Sequence, residues 1–126
     1  MQKIYTENAP KAIGPYSQAI EANGLIYLSG QIPIDPQSNS IKANDILGQT
    51  QQVIQNIREI LKAAGSSISN VLKTTCYLKN MSDFAVFNEE YEKHFTGKPA
   101  RVCIEVSALP KGSLVEIDAI ALKNNV

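Results

Sequence analysis

One long helical stripe dictates what the rest of this chain must do. Ile46, Leu47, Val53, Ile54, Ile57, Ile60, Leu61 and Ala64 recur at the spacing of an amphipathic helix. Gln49, Gln52, Gln55, Arg58, Glu59 and Lys62 occupy the opposite face. Asn44 or Asp45 supplies an N-cap and Gly65 a stop, which gives about five turns. That stripe needs an apolar surface to cover it. The segments on both sides of the helix have the period of strands.

Before the helix, Tyr16–Ala22 and Leu25–Ser29 read as strands joined by Asn23-Gly24, a two-residue hairpin signal. Leu25-Ile26-Tyr27-Leu28 is apolar throughout and is expected to be buried on both faces. Ile4 and Tyr5 mark a short edge strand within residues 1–12. Gly30 follows the second strand, where it either lets a ligand or another backbone approach or simply ends the strand. Residues 32–44, with Pro33 and Pro36, read as a polar connection.

After the helix, Val71–Lys79 is a strand with Leu72, Thr74, Cys76 and Leu78 on one face. Ser82 or Asp83 caps a second helix with the stripe Phe84, Phe87, Tyr91 and Phe95, ended by Gly97. Asn88 flanks that stripe. His94 lies in the last turn, where it suits the helix dipole and reads as structural. In Arg101–Val106, Arg101, Cys103 and Glu105 point one way and Val102, Ile104 and Val106 the other. Leu114–Leu122 puts Val115, Ile117, Ala119 and Ala121 on one face. Glu116 and Asp118 share the other face with Leu114 and Ile120, so that face is solvated or one carboxylate is used.

The order β-β-β-α-β-α-β-β predicts an α+β sandwich: one mixed six-stranded sheet with two helices on one face. The second sheet face then has no cover within the chain. With apolar residues on it, oligomerisation is expected.

Bulk properties exclude several classes. A chain of 126 residues fits one domain, 1–126, and can bury a core unaided. Twelve basic and twelve acidic residues cancel, with no Lys/Arg run, which argues against nucleic acid as a partner. Cys76, Cys103 and a lone His94 are too few for a structural zinc site, and the thiols are expected reduced, in the cytoplasm. The N-terminus lacks a signal-peptide core, and no apolar run approaches the ~18 residues of a membrane span. Arg101, just after Pro99, is a ready fork for a planar carboxylate or phosphate; the same local pattern fits an idle surface arginine.

Several separated segments carry a resemblance. They are Gly14-Pro15-Tyr16-Ser17-Gln18-Ala19, Leu28-Ser29-Gly30-Gln31-Ile32-Pro33, Lys73-Thr74-Thr75-Cys76-Tyr77-Leu78 and Asn88-Glu89-Glu90-Tyr91. Pro99-Ala100-Arg101, Glu105-Val106, Leu109-Pro110-Lys111 and Val115–Ala121 continue the series. In order and over nearly the whole chain, they resemble the RidA/YjgF family of reactive-intermediate deaminases. The resemblance implies a chorismate-mutase-like fold and a homotrimer with clefts between subunits. It implies hydrolysis of 2-imino acids and their enamine tautomers, such as 2-aminoacrylate and 2-iminobutanoate, with no metal or cofactor. By that pattern Arg101 holds the substrate carboxylate, Glu116 positions or activates water, and Tyr16 closes the cleft. Ser29, Gly30, Asn88 and Cys103 line it. Two departures stand out: Val102 replaces the family's usual Ser or Thr, and the 95–99 segment is short.

The chemistry suits this short set. An imine is already electrophilic, so a carboxylate anchor, an oriented water and a proton acceptor suffice. Geometry adds a constraint. In a tight hairpin turning near Lys111, position 101 would pair near 120, leaving Glu116 about 13 Å away along the strand. Either the two strands are not hairpin partners, or Arg101 and Glu116 meet across a subunit boundary, which the resemblance favours. The competing functions are a non-catalytic binder of small carboxylates and a ribonuclease.

Overall fold

The computed structural model describes residues 1–124. Its main sheet runs β1(Gln2–Ile4), β2(Ala19–Ala22), β3(Leu25–Gln31), β8(Val115–Leu122), β6(Val71–Leu78) and β7(Ala100–Glu105), in that spatial order. Only β6 and β7 pair parallel, so the sheet is mixed. Helices α1(Ile46–Ala63) and α2(Phe84–His94) cover one face. The α+β architecture expected from the pattern is therefore the observed one.

Helix α1 forms where its stripe demands. Asp45 caps it by accepting from the Gly48 amide at 2.9 Å, and Gly65 follows its end at φ +75°. Val53, Ile54, Ile57, Ile60 and Leu61 are fully buried against the sheet, each burial stabilising the fold by about 1.5–3 kcal/mol. From below, β8 supplies Val115, Ile117, Ala119 and Ala121.

Several local expectations change. The first hairpin strand starts at Ala19, not Tyr16. Gln18 is buried and uses its amide to hold the preceding segment, accepting from Thr6 N at 2.7 Å and donating to Pro10 O at 2.8 Å. The connection 32–44 contains a small hairpin, β4(Ile34–Asp35) with β5(Ser40–Ile41). Leu72 is exposed because the β6–β8 register shifts between Val71 and Lys73, turning Val71 inward instead. Asp83 makes no side-chain cap on α2.

Gln49 is buried rather than solvated; it accepts from Leu114 N at 2.8 Å and so fixes the start of β8. Leu25–Ser29 is not buried on both faces: Ile26 and Leu28 go inward, and Tyr27 is 44% exposed. Edge strand β7 inverts its expected polarity. Its Arg101 face meets α2, whereas Val102 and Ile104, each 42% exposed, join Tyr27 on the uncovered sheet face.

No helix among the described residues is long and apolar enough to cross a membrane.

Candidate functional site

Arg101 is aimed by α2. Its Nη1 donates to Asn88 Oδ1 at 2.7 Å. The guanidinium carbon lies 4.9 Å from the Tyr91 ring centroid and 5.6 Å from that of Phe84. Residues 84, 88 and 91 share one helical face by their spacing, which sets the amide between the two rings beneath the cation. Tyr91 is itself fixed by a 2.7 Å hydroxyl–hydroxyl hydrogen bond with Thr74. Among the described residues Arg101 forms no ion pair. A stacked guanidinium with unused N–H groups is an anchor for a planar carboxylate. It borders a recess of about 380 Å³ lined also by Phe95, Lys98 and Pro99.

Cys103 follows on the same face, half-buried. Burial raises its thiol and Arg101 opposes that rise. Cys76, its neighbour across the β6–β7 register, is fully buried, and burial pushes its thiol up to about 12. Cys76 is therefore an inert core thiol.

Glu116 lies on the opposite face of the sheet. It is half-buried, and burial, with a smaller contribution from the nearby Asp118 charge, raises its carboxyl above the usual range. Its side chain fills the space beside Gly30, which sits where the β3–β8 register shifts between Leu28 and Gln31. A Cβ at position 30 would overlap Glu116 Oε2 and lie 2.9 Å from Cδ. The group that approaches Gly30 is thus the chain's own carboxylate. Asp118 is held by Tyr77, whose hydroxyl donates to Oδ2 at 2.9 Å.

Tyr16 is 53% exposed and projects from a turn closed by its amide donating to Gly14 O at 2.9 Å. Gly14 has φ +136°, conformational space where a side chain is strained. Ser29 ties this turn to β3: its hydroxyl donates to Ser17 O at 2.5 Å and its amide to Gln18 O at 3.0 Å. Tyr16 and Gly30 share a recess of about 270 Å³ with Lys11, Ile32 and Lys111.

The seven candidate residues thus form two half-sites. Arg101, Asn88 and Cys103 make one, on the helix side of edge strand β7. Tyr16, Ser29, Gly30 and Glu116 make the other. Strand β6 separates β7 from β8, with Thr74 opposite Arg101 and Tyr77 opposite Glu116. The two residues are about 10 Å apart along the strands, about 10 Å apart across them, and on opposite faces. Within one chain they cannot share a small substrate.

Sequence reading placed Tyr91 and Phe84 in the core stripe and missed their role under the guanidinium. Their spacing from Asn88 was the available signal. It also missed Glu90, which is 4% exposed and joins α2 to α1 through His94. His94 Nε2 lies 2.7 Å from Glu90 Oε2, and its Nδ1 accepts from Arg58 Nη2 at 3.0 Å.

Comparisons with known proteins identify the family of the chain. Residues 6–123 match the family model described as Endoribonuclease L-PSP. A RutC family protein of Pyrococcus horikoshii is 58% identical over 121 residues, covering 95% of this chain and 96% of that protein. The mouse (Mus musculus) 2-iminobutanoate/2-iminopropanoate deaminase is 48% identical over 121 residues, covering 95% and 90%. The crystal structure of E. coli TdcF with bound serine superposes with a TM-score of 0.93 at 38% identity, covering 98% of this chain and 100% of that one. The chain belongs to the RidA/YjgF family, the family whose model bears the endoribonuclease description.

Proposed function

We propose that this protein hydrolyses 2-imino acids and their enamine tautomers, such as 2-aminoacrylate and 2-iminobutanoate, to 2-keto acids and ammonia. The observation that carries this reading is the pair of half-sites: an unpaired, stacked arginine and a desolvated glutamate, each on a different face. The site is completed in a homotrimer, where the Arg101 half of one copy meets the Glu116 half of the next. The exposed Tyr27, Val102 and Ile104 support an interface on the open sheet face. The deaminase name of the mouse relative supports the reaction. The serine-bound title of TdcF supports a small amino-acid-like ligand.

The step balances without a co-reactant. Arg101 holds the substrate carboxylate. Water oxygen bonds to the imine carbon as the C=N π pair moves onto nitrogen. Glu116, its basicity raised by burial, accepts the water proton and returns it to nitrogen. Glu116 then takes the carbinolamine hydroxyl proton and passes it to the amine nitrogen; the O–H electron pair forms the carbonyl as the C–N bond breaks and ammonia leaves. Tyr16 closes over the site, and Ser29, Gly30, Asn88 and Cys103 line it. The two free cysteines support a reducing, cytoplasmic setting.

The test is turnover. Imino acids made in situ by a dehydratase or an amino-acid oxidase are followed to keto acid and ammonia. Wild-type protein accelerates their loss, Arg101→Ala raises KM by about tenfold or more, and Glu116→Gln mainly lowers kcat. A protein that binds a small carboxylate through Arg101 but accelerates nothing is a binder, and the proposal fails.

A further inference from the structure

The recess around Tyr16 and Gly30 contains more positive charge than the proposed reaction needs. Lys11 and Lys111 both line it, and no acidic residue does. Glu116 abuts Gly30 from β8 without lining the recess. The recess around Arg101 is different, because there Glu92 accompanies Lys98. Lys11 also borders a neighbouring hollow that contains Glu7, so the uncompensated cation is Lys111.

Lys111 is held there at a backbone cost. It sits at φ 56°, ψ 24° in the turn Pro110–Gly112, followed directly by Gly112 at φ 65°. Glycine or asparagine would adopt that conformation with less strain. The turn is locked on both sides: Gly112 N donates to Leu109 O at 3.2 Å, and Ser113 Oγ donates to Pro110 O at 3.0 Å. A lysine retained in a left-handed position, at the rim of a recess and without an ion-pair partner among the described residues, is suited to meet an anion. The substrate carboxylate already has Arg101. Ile13, Ile32, Ile34 and Pro110 give the recess apolar walls that suit a short carbon chain.

We infer that Lys111 is a specificity residue that favours 2-imino acids bearing a second carboxylate at the end of the side chain. This rests on the deaminase reading and names the substrate class of that same cleft. The lysine ammonium meets the distal carboxylate, while the 1-carboxylate stays on Arg101.

The test compares imino acids generated by amino-acid oxidases from glutamate and from leucine. The proteins are wild type, Lys111→Gly, Lys111→Arg and Lys98→Gly. Lys111→Gly removes the charge while easing the backbone, so it folds at least as well as wild type, which a thermal melt checks. The expected result is an approximately tenfold loss of kcat/KM for the glutamate-derived imine alone, the scale of one charge-assisted contact. Lys111→Arg restores most of it, and Lys98→Gly leaves the preference between the two imines intact. Equal loss on both imines, or none on either, overturns the inference. Absence of wild-type turnover on every imine overturns the deaminase reading instead.

Discussion

Arg101 and Glu116 lie on opposite faces of one sheet, with strand β6 between the strands that carry them. Each is held in its own surroundings. Arg101 is stacked on Tyr91 and clamped by Asn88. Glu116 is desolvated against Gly30. Neither can reach the other's substrate within its own chain, and this separation makes association part of the proposed mechanism.

Glu116→Gln separates catalysis from stability. Turnover falls by about 10²–10⁴-fold, the range of one lost general acid–base group. Stability moves the other way. A carboxyl whose folded pKa lies above its unfolded value favours folding at low pH. It imposes a cost that grows as pH rises from the unfolded value of about 4.5 through the folded one. The glutamine variant is therefore more stable than wild type at neutral pH, and the gain disappears in acid. Denaturant titrations at pH 4 and pH 7 check the sign.

Gly30→Ala tests the packing of that carboxylate. The new methyl overlaps Glu116 Oε2, so the glutamate must rotate away or the bulge must open. The expected stability cost is below about 1 kcal/mol, because the atoms that must move are the end of a flexible side chain, with a fall in kcat and a smaller change in KM. A variant with unchanged kcat shows that the position of Glu116 beside Gly30 does not matter to the reaction.

Glu90→Gln weakens the join between the helices. It removes a buried carboxylate bonded to His94 and Lys93 and costs about 1–3 kcal/mol at neutral pH. The His94 hydrogen bond, first among several effects, holds Glu90 below its ordinary range. Its contribution is present above the unfolded pKa of about 4.5 and is lost as pH falls through the folded value. The gap between variant and wild type in urea unfolding thus narrows in acid.

What the sequence discloses follows from how local each cause is. The α1 stripe, the Asn23-Gly24 turn and the alternation of β8 depend on residues a few positions apart, and all three survive in the fold, with Leu47 of the stripe left exposed. The faces of β7 depend on which side α2 docks, a non-local fact, so Val102 and Ile104 were expected on an apolar face that the structure leaves open. Gln49, Gln18 and Glu90 have the composition of a solvated surface but are buried: Gln49 and Gln18 find partners distant in the chain, and Glu90 is bonded within its own helix to His94, which reaches Arg58 of α1. The two half-sites were legible only as residue types. Their division between sheet faces required the register of β6 with both neighbours.

The most direct test mixes two proteins, each impaired in one half-site, at substrate concentrations well below KM. Arg101→Ala and Glu116→Gln copies are unfolded together, refolded at equal ratio and assayed against the separately refolded variants. In a cyclic homotrimer with one cleft per interface, random assembly gives about one interface in four an intact Arg101 from one copy and an intact Glu116 from the next. The account predicts recovery of about a quarter of wild-type activity. A mixture no more active than the mean of its components, while forming mixed assemblies by native mass spectrometry, would contradict it.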